Sequence, residues 1–126
     1  MTEKSADLFQ TYQLFIIIHQ DISIQVGRLG ECFFPAGCYV YTGSAKRGMN
    51  ARLARHFSKG KKYHWHIDYL LGDSQAEIIQ TKKFAEPECF INSKTSGLIL
   101  IPGFGSSDCR AGCKSHLKYQ TPLHHS

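Results

Sequence analysis

Residues 40–57 read VYTGSAKRGMNARLARHF, and the hydrophobic period changes within them. The first part suits a strand, Cys38 to Thr42, on which Tyr39 and Tyr41 share one face while Cys38, Val40 and Thr42 share the other. Gly43, Ser44 and Gly48 break that strand. Met49, Leu53 and Phe57, spaced by four, then predict an amphipathic helix to about Ser58 whose apolar stripe faces a sheet. At roughly 100° per residue, Arg52, Arg55 and Lys59 gather about a third of a turn from that stripe, with His56 on its border. One helix thus offers a buried face and a basic face.

Upstream, the first ten residues are polar and are expected to be disordered; Tyr12 to Ile18 then reads as a β-branched, apolar strand. Ile22, Ile24 and Val26 alternate with polar neighbours and predict a second strand, ending in a turn at Gly27 and Gly30. Pro35, Ala36 and Gly37 close the loop that follows. Downstream, YHWHIDYLL from Tyr63 to Leu71 predicts a helix, because Trp65 with Tyr69 and Ile67 with Leu71 pair at i,i+4. Glu77 to Thr81 reads as a strand. Pro87 is placed to open a third helix with Glu88 in its first turn, and Gly97 to close it. From Leu98 through PGFGSSDCRAGCKSHLKY, glycine and serine predict a loop. The sum is an α+β fold, a small mainly antiparallel sheet flanked by helices, in a single domain spanning residues 1–126.

The 126 residues are 42% hydrophobic and 12% aromatic, enough to build one packed core. The longest apolar run, Leu14 to Ile18, falls well short of the roughly 20 residues that cross a bilayer, so no membrane association is expected. Five cysteines and no charged, apolar leader point to a cytoplasmic protein with reduced thiols. The formal charge is +5, and between Lys46 and Lys62 there are seven Lys or Arg and no acid. That local block would suit a polyanionic partner.

The Val40–Phe57 stretch resembles the second half of a GIY-YIG endonuclease module. With GCYVYTGSA, RHF, HWHIDYLL and GFGSSDC, nearly the whole chain is similar to an uncharacterised bacterial and archaeal branch of that superfamily. The resemblance implies a metal-dependent DNA endonuclease of repair, recombination or defence. It carries the family's strand tyrosines onto Tyr12 and Tyr41, its arginine onto Arg52, its histidine onto His56 and its metal-binding glutamate onto Glu88. The first triplet departs from the motif, reading Gln10-Thr11-Tyr12, and the span between the tyrosines is long, which leaves Tyr39 as an alternative first tyrosine.

Phosphodiester hydrolysis needs an activated water, charge relief on the phosphate and a stabilised leaving oxygen. A tyrosine near its free pKa of about 10 is a poor base at neutral pH and needs a nearby cation. A hard ion on Glu88, Mg²⁺ or Mn²⁺, suits that role, while Arg52 supplies a planar donor fork and His56 positions water or relays a proton. Lys46, Arg47, Arg55, Lys59, Lys61, Lys62 and His64 are the expected DNA contacts, and Asp68 is placed to accept from the His64 imidazole. Each residue also has an ordinary reading: strand tyrosines pack, helix arginines are solvated, and Glu88 favours a helix N-terminus. Two other functions compete with cleavage, a non-catalytic nucleic-acid-binding module of the same fold and an interaction domain stabilised by structural Zn²⁺ at Cys109, Cys113 and His116, with Cys89 as a fourth ligand.

Overall fold

The computed structural model describes residues 8–58, 60–106 and 112–122. Strand β1 (Thr11–Ile18) lies inside a four-stranded sheet of order β5-β1-β4-β6, with β4 at Gly37–Ser44, β5 at Ala76–Phe84 and β6 at Leu117–Thr121. Every pairing in it is antiparallel. The central strand is the one the sequence marks as continuously apolar, and Leu14, Ile16 and Ile18 on it are almost completely buried. Burying each such side chain contributes about 1.5–3 kcal/mol. Strands β2 (Ile22–Gln25) and β3 (Glu31–Phe34) form a separate hairpin, whose Phe34 enters the core.

Helix α1 (Met49–Phe57) follows β4, α2 (His66–Leu71) precedes β5, and α3 (Glu88–Lys94) packs against β4 and β1. The α+β class and the mainly antiparallel sheet agree with the sequence reading. Several details correct it. On α1, Phe57 is 55% exposed and His56 is buried in its place. At about 100° per residue, Met49, Leu53 and His56 fall within a narrow arc, whereas Phe57 has already rotated away. The second helix begins at His66 rather than Tyr63, because the Asp68 carboxylate accepts the backbone N–H groups of His64 and Trp65 and closes the turn there. Strands β3 and β6 were not expected, and the third helix stops at Lys94, short of Gly97.

Strand β6 also anchors α3. The buried Lys118 Nζ donates to the carbonyls of Asn92 and Thr95, 3.1 and 2.9 Å away, at the negative end of that helix. Asn92 Nδ2 donates in turn to Ser115 O at 2.9 Å. These bonds fix the helix whose first turn carries Glu88. No helix among the described residues is long and apolar enough to cross a membrane.

Candidate active site

In the β1–β4 ladder Tyr12 stands opposite Gly43 and Leu14 opposite Tyr41. Opposed residues of an antiparallel pair share a face, so Tyr12 and Tyr41 become diagonal neighbours on one side of the sheet. Their ring centroids are 6.4 Å apart. Gly43 is required at this point, since a Cβ there would lie 2.5 Å from the Tyr12 hydroxyl oxygen. With Ser44, Arg52 from α1, Trp65, Glu88 from α3, Gly105 and His116, the two tyrosines line a cavity of about 250 Å³. Tyr39 lies outside it. Its ring packs against Tyr119 and Phe34, and its hydroxyl donates to Pro35 O at 2.6 Å. Of the two candidate first tyrosines, Tyr12 lines the cavity and Tyr39 does not.

Behind the cavity wall, the Tyr12 hydroxyl and His56 Nε2 are 2.6 Å apart. Burial pushes the Tyr12 phenol up to about 12, against the opposing pull of the Arg52 guanidinium, and burial holds the His56 imidazole down at about 4. At neutral pH the pair is thus an un-ionised phenol against a neutral imidazole. The gap between those values bars spontaneous proton transfer from one to the other. Tyr41 is raised well above 10, first by burial and then by Tyr12 and Glu88. Neither tyrosine is a phenolate at rest, so either one acts as a base only where positive charge is brought to its oxygen.

Arg52 donates from Nη1 to Ser44 O at 2.7 Å and lays its guanidinium carbon 4.4 Å from the Trp65 ring centroid. Arg55 stacks on Trp65 at the same distance but is held by Asp68, with its two terminal nitrogens 2.8 and 3.0 Å from the carboxylate oxygens. Burial works to raise the Asp68 carboxyl, but Arg55 and the backbone N–H groups of Trp65 and His64 outweigh it and hold the group below the usual range. The expected bond from the His64 imidazole to Asp68 is replaced by the one from its backbone nitrogen.

Glu88 opens α3 with its side chain 26% exposed and Oε2 2.9 Å from His116 Nδ1. Beyond it, Cys89, Cys113 and His116 bring one ligand atom each to within 4.8 Å of one another. Cys109 and Lys59, both expected at a site, lie outside the described residues. Lys46 and Arg47 are exposed in the turn between β4 and α1, and Lys62 and His64 are exposed after it. Lys61 Nζ donates to Ser58 O at 2.7 Å.

Sequence reasoning missed Trp65, Ser44 and His116 as cavity walls. Trp65 was legible only as a helix residue. Gly105 is placed by two features that no local pattern reveals: its N–H donates to His66 Nδ1 at 2.9 Å, and a Cβ there would come 3.0 Å from the Tyr41 ring. Residues 11–125 match the family model described as Domain of unknown function DUF123. No curated protein and no solved structure matches the chain.

Proposed function

We propose that this chain, which belongs to the DUF123 family, is a GIY-YIG-type endonuclease that hydrolyses phosphodiester bonds in DNA with one Mg²⁺ or Mn²⁺ ion. The observation that carries the reading is the convergence of Tyr12, Tyr41, Arg52 and Glu88 on one cavity, from four separate elements of the fold. Packing alone gives no reason for a phenol pair, a guanidinium and a carboxylate to meet in a solvent-connected hollow.

The residues fit a hard divalent cation. Glu88 is part exposed in the cavity, a described residue engages only one of its two oxygens, and ions of this class keep several waters and need few protein ligands. Glu88 would hold the ion, which when bound would offset phosphate charge and steady the departing oxygen. Arg52, stiffened by Ser44 and Trp65, keeps further N–H donors for a non-bridging phosphate oxygen. Tyr12 and Tyr41 present hydroxyls that orient the attacking water. His56 fixes the Tyr12 hydroxyl from behind.

The test is cleavage of supercoiled, single-stranded and branched DNA with Mg²⁺ or Mn²⁺, wild type beside Glu88→Ala and Arg52→Ala, with circular dichroism to check folding. Wild-type cleavage that both folded variants lose is the expected result. Full turnover in both variants removes the assignment. Salt-sensitive binding without products under either metal would instead make this a non-catalytic nucleic-acid module.

A further inference from the structure

We infer that Cys89, Cys113 and His116 form a zinc site on the far side of His116 from the cavity, separate from any catalytic ion on Glu88. The three ligand atoms lie within 4.8 Å of one another. Cys89 comes from the first turn of α3 and the other two from the segment entering β6. Cys89 Sγ and His116 Nε2 are 4.0 Å apart. Zn–S near 2.3 Å and Zn–N near 2.0–2.1 Å in a tetrahedron put these atoms about 3.6 Å apart. The Cys89–His116 pair is therefore only slightly wider than zinc-ligand spacing, at the outer limit of a sulfur hydrogen bond, and all three atoms lie close enough for small side-chain movements to close them around one ion.

The other side of the ring faces a carboxylate. Consecutive residues of one helix turn bracket His116, with Glu88 Oε2 2.9 Å from Nδ1 and Cys89 Sγ facing Nε2. With the ring proton on Nδ1, the side of the nearby carboxylate, the Nε2 lone pair faces the thiol, which is the tautomer a metal ligand needs. Two thiolates neutralise a divalent ion, as suits a site whose histidine is 2% exposed. Thiolate and imidazole donors select zinc, whereas the Glu88 carboxylate selects a hard ion, so the two sites do not compete for one metal. Cys109 lies outside the described residues. The three described ligands leave one tetrahedral position outside their set. Zinc here would pin the start of α3 to the β6 approach and hold the His116 ring against Glu88.

The experiment is metal analysis of the full chain after dialysis in metal-free buffer, with Co²⁺ substitution read by absorption. About one zinc per chain, and a thiolate-to-Co²⁺ charge-transfer band, are the expected results. Cys89→Ser should lose both and Cys38→Ser neither. Wild-type protein that carries far less than one equivalent of zinc and gives no thiolate band with Co²⁺ overturns the inference, as does a Cys89–Cys113 disulfide in non-reducing peptide mapping. The Co²⁺ spectrum is taken on wild type, so it decides the matter even if Cys89→Ser fails to fold. These readouts do not involve cleavage, so loss of the zinc site and loss of the nuclease reading are seen separately.

Discussion

Two arginines one turn apart on α1 end in opposite circumstances. Arg52 and Arg55 both place their guanidinium carbon 4.4 Å from the Trp65 ring, so stacking does not distinguish them. What differs is the far side of each. Arg55 meets a carboxylate with no solvent exposure and a backbone carbonyl, Lys62 O at 3.0 Å. Arg52 meets one carbonyl, the uncharged Tyr12 hydroxyl and then a cavity. The Arg55 region is a clamp, in which charge is consumed inside the protein. The Arg52 region leaves charge unspent, and unspent charge in a concave site is what an anionic ligand can use. Residue type and helix position alone would give both arginines one role.

The sharpest way to break this comparison is to empty the clamp. Asp68 accepts two bonds from Arg55 and one each from the His64 and Trp65 backbones while fully buried. Removing one partner of a buried ion pair costs about 3–5 kcal/mol, and Arg55→Ala, which strands the Asp68 charge, is expected to lose that much in urea unfolding. Arg52→Ala strands no buried charge, so its stability loss should stay near the roughly 1 kcal/mol of one hydrogen bond. Its cleavage loss should instead reach about 10²–10³-fold, as for a donor that stabilises transition-state charge. Equal stability losses in the two variants would collapse the distinction.

A smaller effect sharpens it through pH. His56 belongs to the cavity side, buried with Nδ1 lacking a partner among the described residues. Its folded pKa of about 4 lies below its ordinary 6.5, depressed chiefly by burial. Between those values the unfolded chain binds a proton that the folded chain refuses. The stability His56 permits is therefore complete above pH 6.5 and is lost as pH falls toward 4, by up to about 3 kcal/mol. Melting temperature followed over that range should fall in wild type and fall less in His56→Gln. The Asp68 clamp titrates lower, since its carboxyl is held below 3.8. A melting curve flat from pH 6.5 to 4 would mean that His56 is not shielded as described.

The strands of the site were legible because alternation and apolar content are local. Tyr12 and Tyr41 could be assigned to strands and Glu88 to a helix start from neighbouring residues alone. The α1 stripe was misread at one position because spacings of four were followed to Phe57, when the i+7 position of His56 lies closer to the helix's buried axis. The different fates of Arg52 and Arg55 were illegible, since Asp68 stands thirteen residues from Arg55 and nothing local marks it as buried. Strand β6 was hidden by the glycine-rich approach to it, and with it went the meeting of His116 with Glu88, which depends on β6 joining the sheet edge beside β4. Local chemistry was readable; pairing across the fold was not.

The smallest effect concerns charge that is neither clamped nor in the cavity. Lys46 and Arg47 are exposed and form no ion pair among the described residues, in the turn that leaves β4 just after the cavity residue Ser44. On the proposed function they meet DNA phosphates flanking the cut, where each neutralised phosphate releases counterions. Lys46→Ala and Arg47→Ala should each weaken binding evenly across DNA sequences and reduce the slope of log affinity against log salt by about one. The rate at saturating DNA should stay unchanged, because these side chains lie outside the cavity where the chemistry is placed. A wild-type salt slope in both variants would remove this turn from the interface. A fallen saturating rate would mean that the turn reaches into the cavity when DNA is bound, and the line between spent, unspent and merely exposed charge would have to be redrawn with Lys46 and Arg47 beside Arg52.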